Sequence, residues 1–472
     1  MTRLWPVLAA VAALVPVAGG FSTTHVFYVR DLSNYFWPRH RWLRETVLGG
    51  DWPWWDPYAA GGQSAVADAL NQFFLLPVTL VRVALPPIPG FNFWVAAPFP
   101  VAAVGAWLWL RRYGSPASAF VGAAIFVAVG PVVSTGNFPN LSWAVACIPW
   151  ALWATNRLAD EPGAGRVATL ATWMGLQAIT GEPVTLAGTA VLVLVYAAFG
   201  HGAVAWRERL LRVIRVTAAL TAGALLSAVQ TFPLGFAATR SLRAIGVDDV
   251  SWSLHPLEIG ELMVGHLFGH SATGQAETMP WMLAFHNREP LFVTLYVGVG
   301  ALVLGAVASR EPGARRRRVF WWAVAGVALL CALGRYTPFY PALQSAFPLV
   351  QSFRFPVKYL VFAMAALAAL ATMGADALLA HARGRGAMRR PVLPLALAGA
   401  VTAIGVTLGL GASVSPDVIH AVWARLGDGL AFADPSAATQ WIVSSSPSSG
   451  AATARRPRPR CWCARSPSSI RW

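Results

Sequence analysis

The chain has 472 residues, of which 56% are hydrophobic and only 12% are charged. A soluble globular domain carries about 25% charged residues, so this composition excludes an ordinary soluble protein. The formal net charge of +16 raises the question of a nucleic-acid partner. The basic residues, however, are spread over short segments between apolar runs, which is typical of membrane topology. We therefore expect an integral membrane protein whose partner is the lipid bilayer, with no nucleic acid.

Apolar runs long enough to cross a bilayer recur along the chain, since a membrane helix needs about 20 residues. The sequence predicts an all-α, polytopic transmembrane helix bundle of about eleven helices, near residues 4–22, 91–110, 117–134, 141–158, 167–180, 183–199, 213–232, 291–309, 319–334, 355–380 and 391–412. We interpret the first run as a retained helix, although a cleaved signal peptide is the alternative. The proline-containing run 71–88 is interpreted as interfacial or re-entrant.

The distribution of charge predicts the topology. If the N-terminus is cytoplasmic, basic residues far outnumber acidic ones on the inner side, as the positive-inside rule requires. The long segments 23–90 and 233–290 then face the outside, and we expect them to carry short amphipathic helices. We expect one membrane domain over residues 1–443. Residues 444–472 are rich in Ser, Pro and Arg and are predicted to be disordered, as a truncated or frameshifted end; a genuine basic tail is the alternative.

Three outward-facing segments hold charged residues that are candidates for catalysis or for binding an anion. Asp31 follows the first helix, where a carboxylate can take a proton from an attacking hydroxyl; it is also compatible with a solvated helix end. Glu182 lies in "GEP", a break between two apolar runs, where polar groups tend to be functional. Arg354 and Lys358 have an i, i+4 spacing at the start of the helix 355–380, which predicts a shared helix face that binds phosphate.

Other outward-facing residues are weaker candidates. The Trp54 and Trp55 rings are predicted either to stack on a sugar or to form an interfacial belt. Asp51 and Asp56 are candidates for a divalent cation, Mg²⁺ or Mn²⁺, and turn capping is the alternative; no other cofactor is expected. His266 and His270 are predicted either to bind a metal as a pair or to be ordinary loop histidines. The remaining candidates for substrate binding are Arg240, Arg335 and His255.

The block "DLSNYFWPRHRWLRETVLGGDWPWWDPYAAGGQS" resembles the first external loop of the YfhO-like family of bacterial membrane proteins. Over roughly residues 4–412, later blocks resemble that family in the same order: "GNFPNLSWAVACIPWALWA", "GEPVTL", "QTFPLGFAATRSLR", "WSLHPLEIGELMVGHLFG", "ALGRYTPFYPAL" and "FRFPVKYL". Family members usually continue through further helices, so the resemblance implies a C-terminal truncation.

The YfhO-like family is similar to the GT-C class of membrane glycosyltransferases. The resemblance implies a bacterial plasma-membrane enzyme that transfers a sugar from a polyprenyl-phosphate donor to an extracytoplasmic acceptor, with Asp31 as the essential acidic residue of the first external loop. The alternatives are a transporter or flippase of lipid-linked glycans, and a non-catalytic membrane assembly protein. The sequence shows no repeat relating its two halves, and its polar residues cluster on one side of the membrane. Both observations favour the enzyme over the transporter.

Overall fold

The computed structural model describes residues 4–59, 61–202, 205–240, 250–265, 267, 290–309 and 315–384. These residues belong to one compact unit. The predicted helix 391–412, the predicted boundary at residue 443, the tail 444–472 and the His266–His270 pair lie outside the described residues.

The described chain is predominantly helical, which confirms the predicted all-α class. The α-helices, in chain order, are α1 Trp5–Ala12, α2 Trp37–Leu48, α3 Leu76–Ala84, α4 Pro87–Ala96, α5 Pro98–Leu110, α6 Pro116–Ala128, α7 Gly130–Val133, α8 Pro139–Asp160, α9 Ala164–Ile179, α10 Pro183–Val195, α11 Trp206–Leu226, α12 Ala228–Thr239, α13 Val299–Ala308, α14 Arg315–Ala332, α15 Phe339–Ala346 and α16 Leu360–Ala382. Two short strands, β1 Trp55–Asp56 and β2 Gln63–Ser64, form an antiparallel hairpin.

Three continuous helical segments of the described chain are long and apolar enough to cross a membrane by length and composition: Pro87–Leu110, Pro183–Gly200 and Pro356–Ala382. Two bent pairs raise this number to five: α6 with Gly130–Asn137, at an angle of 56°, and α11 with α12, at 75°. Other predicted runs form helices that are shorter or more polar. For example, α14 begins with four consecutive arginines. The count of about eleven spans stays a prediction.

Several predicted helices are interrupted in the structure. The run 4–22 divides into α1 and a 3-10 segment, Val15–Phe21, because it contains Pro16. The run 117–134 breaks at Val129, which is extended ahead of the Gly130–Pro131 pair. The run 291–309 becomes α-helical only after Gly298, whose φ of +83° suits glycine.

The centre of the bundle is α16, which is buried along most of its length and packs against α6, α13 and α14. Small residues allow these close approaches, because Gly122 and Gly374 leave no room for a Cβ against Thr372 and Leu304 respectively. The far end of α16 is tied to the start of α6. The Asp376 carboxylate accepts hydrogen bonds of 2.8 Å from the Ser115 backbone N–H and 2.8 Å from the Ser118 hydroxyl.

The predicted first external segment, residues 23–90, consists of short elements. It comprises a π-helical turn Leu32–Phe36, α2, the β1–β2 hairpin, a 3-10 turn Ala69–Asn71 and α3. The helix α3 has an exposed apolar face with Leu76 and Leu80, and a buried face that carries the polar residues Thr79 and Arg82. The run 71–88 is therefore a short amphipathic helix followed by the start of α4, in agreement with the expectation of amphipathic helices in the external loops.

Candidate functional site

The break between α9 and α10 presents Glu182 to the interior of the protein. Gly181 adopts a φ of +75°, and a Cβ on it would lie only 2.6 Å from the Cβ of Ala69. The break is therefore pressed against the first external segment, and glycine is required there. Pro183 begins α10, where its missing N–H has no cost. These constraints leave the Glu182 side chain only 3% exposed.

Lys358 forms a buried ion pair with Glu182. Its ammonium Nζ donates hydrogen bonds to Glu182 Oε1 at 3.0 Å and Oε2 at 2.9 Å, and the Lys358 side chain is 12% exposed. A third residue joins from α8, where the Asn140 amide donates to Glu182 Oε2 at 3.4 Å. The sequence analysis predicts Lys358 as a phosphate-binding residue and Glu182 as a functional carboxylate in a helix break. The structure brings the two side chains into direct contact.

The predicted shared helix face of Arg354 and Lys358 is wrong. The helical segment begins at Pro356 with a 3-10 turn, Pro356–Tyr359, and the preceding Phe355 is left-handed with a φ of +66°. Arg354 therefore precedes the helix, and the i, i+4 argument does not apply to it. Both cations nevertheless approach one ring, because Arg354 Cζ lies 5.9 Å and Lys358 Nζ 5.2 Å from the Phe355 ring centroid.

Asp31 is exposed at the start of the π-helical turn Leu32–Phe36. Its orientation follows from the next residues, since Leu32 and Phe36 are buried beneath it in the cluster around Trp94. Within the part of the chain that the structure describes, the Asp31 carboxylate forms no hydrogen bond or ion pair. The Asp31 carboxylate is therefore accessible from outside the protein.

The residue before Asp31 links the first external segment to the surroundings of Lys358. Arg30 donates to the carbonyl oxygens of Pro290, at 2.5 Å, and Leu291, at 3.2 Å. Those two residues line a small cavity together with Val357, the neighbour of Lys358. The Arg30 guanidinium also lies 5.5 Å from the ring of Phe138, which precedes α8 and Asn140. Asp31 and the ion pair thus belong to the same end of the bundle.

The remaining predicted binding residues, Arg240, Arg335 and His255, are not part of the ion pair between Glu182 and Lys358. Arg335 is exposed and donates to the hydroxyl of Tyr336 at 3.0 Å. His255 begins the 3-10 segment Pro256–Leu262; its Nδ1 accepts from the Leu257 N–H at 3.2 Å, so it is a helix cap. Arg240 is exposed at the end of α12, over the Phe236 ring at 4.1 Å. Their roles in substrate binding stay predictions.

The aromatic hairpin of the first external segment is open to its surroundings. Trp54 and Trp55 are 59% and 60% exposed, so either a sugar or the membrane interface has access to them. Asp56 is buried and accepts a hydrogen bond from the Tyr58 N–H at 2.9 Å, which is a turn-capping contact. Asp51 is exposed. Among the described residues, no three His, Cys, Asp or Glu side chains come together as a metal site.

Sequence reasoning missed a buried cluster in the first external segment. Arg82 is 1% exposed; its Nη1 donates to the Asn71 carbonyl at 2.9 Å, and its guanidinium lies 3.7 Å from the Trp94 ring centroid. Arg82 Nε also donates to His40 Nδ1 at 3.4 Å. Burial, together with the charge of Arg82, lowers the pKa of His40 to about 3, and burial lowers the pKa of Arg82 to about 9. The available signal was a lone arginine in an apolar run.

A second missed cluster surrounds Asp68. Its Oδ2 accepts from the Tyr35 hydroxyl at 2.5 Å and lies 3.3 Å from Arg39 Nη2. Next to it, the buried Gln72 accepts from the Trp94 indole at 2.6 Å and donates to the Pro139 carbonyl at 3.4 Å. These contacts hold the first external segment against the start of α8, beside the residue that contacts Glu182.

These features define a multi-pass, all-α membrane protein with a buried ion pair at one end of its bundle. The chain is similar to the crystal structure of the Archaeoglobus fulgidus oligosaccharyltransferase in the apo form, with a TM-score of 0.43 and 15% identity, covering 85% of this chain and 54% of that one. It is also similar to the Archaeoglobus fulgidus oligosaccharyltransferase AglB in complex with an inhibitory peptide and a dolichol-phosphate, with a TM-score of 0.41 and 14% identity, covering 95% and 58% respectively. The chain spans little more than half the length of these structures. No family model matches it, and no curated protein matches it.

Proposed function

We propose that the chain is a GT-C-like membrane glycosyltransferase of the YfhO-like kind, which transfers a sugar from a polyprenyl-phosphate donor to an extracytoplasmic acceptor. The observation that supports this proposal most is the pair of cations at the Phe355 ring, Arg354 and Lys358, at the mouth of a membrane-spanning segment. The exposed carboxylate of Asp31 belongs to the same end of the bundle. A base and a phosphate-binding cation are the two groups that this transfer needs.

The proposed step transfers the sugar to the acceptor and the acceptor's hydroxyl proton to Asp31. An acceptor hydroxyl oxygen attacks the anomeric carbon of the donor sugar, and the bond between that carbon and the phosphate oxygen breaks with its electron pair on the phosphate. Asp31 takes the hydroxyl proton, a role that contributes roughly 10²–10⁴-fold to rates. The phosphodiester leaves as a phosphate monoester with one more negative charge, which Arg354 and Lys358 stabilise.

A Mg²⁺ or Mn²⁺ site at Asp51 and Asp56 stays a prediction. No cluster of three carboxylate, imidazole or thiolate side chains exists in the described ranges, and one oxygen of Asp56 is engaged by a backbone N–H. The proposed step involves only side chains of this chain.

Paired substitutions of two exposed carboxylates in the first external segment test the role of Asp31. With purified protein and a series of polyprenyl-phosphate sugars, Asp31→Asn is expected to reduce transfer by roughly 10²–10⁴-fold. Glu45→Gln, which also removes an exposed carboxylate of this segment, is the control and should transfer sugar at the wild-type rate. Both variants should unfold like the wild type. Transfer by Asp31→Asn at the full rate would remove Asp31 from the proposal.

A second candidate function is transport or flipping of lipid-linked glycans. The break between α9 and α10 favours it, because transporters place substrate at the ends of interrupted helices. Sealed vesicles distinguish the two: a flippase moves a labelled lipid-linked glycan across the bilayer without changing it, whereas the transferase yields a glycosylated acceptor and a free polyprenyl phosphate. A non-catalytic assembly protein would do neither.

A further inference from the structure

We propose that Glu182 competes with the lipid phosphate for Lys358, so that Lys358 exchanges between the two anions during the catalytic cycle and Glu182 helps to expel the polyprenyl-phosphate product. This inference rests on the proposed glycosyltransferase function. It assigns Glu182 a role in product release that differs from acid or base catalysis.

The geometry of the ion pair makes competition necessary. An ammonium group has three N–H donors. Two of these on Lys358 point to the two carboxylate oxygens of Glu182, at 3.0 and 2.9 Å. A phosphate that approaches Lys358 therefore meets an ammonium two of whose three donors are already engaged. To accept hydrogen bonds from more than one donor of Lys358, the phosphate must displace at least one carboxylate oxygen of Glu182.

The charges of the competing groups change during the reaction. The donor is a phosphodiester with a single negative charge, equal to that of a carboxylate. The product is a phosphate monoester, whose second pKa near 6 gives it nearly two negative charges at pH 7. The attraction between Lys358 and the phosphate therefore grows as the bond breaks. An interaction that strengthens in the transition state accelerates the reaction, whereas equal binding of donor and transition state does not.

The surroundings of Glu182 favour the return of Lys358. The carboxylate is 3% exposed, and among the described residues its remaining side-chain partner is the Asn140 amide at 3.4 Å. A buried charge that loses its counter-ion is strongly destabilised. This penalty acts against tight retention of the product, which would otherwise hold Lys358 through its extra negative charge.

Binding of a polyprenyl monophosphate to the full chain in lipid nanodiscs tests the proposal, with the corresponding polyprenyl alcohol as the uncharged control. Glu182→Gln frees Lys358 from a charged acceptor, so the monophosphate should bind about ten- to hundredfold more tightly. Lys358→Met should weaken binding. Neither substitution should change the affinity for the alcohol. In steady-state transfer, Glu182→Gln should show stronger product inhibition and a lower kcat.

The outcomes separate this inference from the proposed function. Weaker or unchanged binding of the monophosphate by Glu182→Gln would overturn the competition and leave Glu182 as a residue that positions Lys358. If the wild type binds monophosphate and alcohol alike and transfers no sugar, the proposed function fails as well. Should Glu182→Gln not fold, Glu182→Asp keeps the charge but shortens the side chain, and it should tighten binding in the same direction by a smaller factor.

Discussion

Removal of one partner of the buried ion pair should destabilise the protein far more than removal of both. In Lys358→Met, the Glu182 side chain, which is 3% exposed, loses its counter-ion and two hydrogen bonds of 2.9 and 3.0 Å. The expected loss in the free energy of unfolding is about 3–5 kcal/mol. The double variant Glu182→Gln/Lys358→Met buries no charge at this position and should lose less than about 2 kcal/mol.

The surface provides a matched control of the same chemistry. Arg41 and Glu45 form an i, i+4 pair at 2.7 Å, but their side chains are 54% and 61% exposed. Arg41→Met should therefore cost no more than about 1 kcal/mol. Unfolding in mixed micelles by titration with SDS measures the wild type, these three variants and Glu182→Gln. The reasoning is refuted if Lys358→Met costs as little as Arg41→Met, or if the effects of Glu182→Gln and Lys358→Met add.

Three further predictions concern other parts of the chain. Reporter fusions after Arg112 and near Asp248 should read cytoplasmic and external respectively; a cytoplasmic reading near Asp248 would refute the topology. Gly181→Ala should destabilise the protein more than Gly50→Ala, since both glycines have positive φ but only Gly181 is crowded; equal losses in thermal unfolding would contradict this. Burial and Arg82 lower the pKa of folded His40 to about 3. As the pH falls from about 6.5 to about 3, only the unfolded chain takes up a proton at this residue, so the free energy of unfolding should fall by about 1.4 kcal/mol per pH unit. His40→Gln should lack this component when unfolding is measured as a function of pH.

The sequence predicts the fold class well because membrane helices are encoded locally. Apolar length and charge bias are properties of contiguous residues, and the helices appear close to where those patterns lie. Helix interruptions were harder to predict, since a proline or glycine inside an apolar run is compatible with both a kink and a break. The extended Val129 and the positive φ of Gly298 are examples.

The candidate site was predictable residue by residue and not as an arrangement. Glu182 and Lys358 each stand out as a charge at the edge of an apolar run, but they are 176 positions apart, and only tertiary packing joins them. The predicted shared face of Arg354 and Lys358 failed because one left-handed residue, Phe355, separates them. The Arg82–His40 contact was missed for a similar reason, since its members come from different elements of the first external segment.

The segment Pro356–Ala382 is held at both ends, by Lys358 at one and by Asp376 at the other. At a rise of 1.5 Å per residue these two residues are about 27 Å apart, close to the thickness of the hydrocarbon layer of a bilayer, about 30 Å. A change of partner at Lys358 can therefore leave the Asp376 anchor, about 27 Å away, intact.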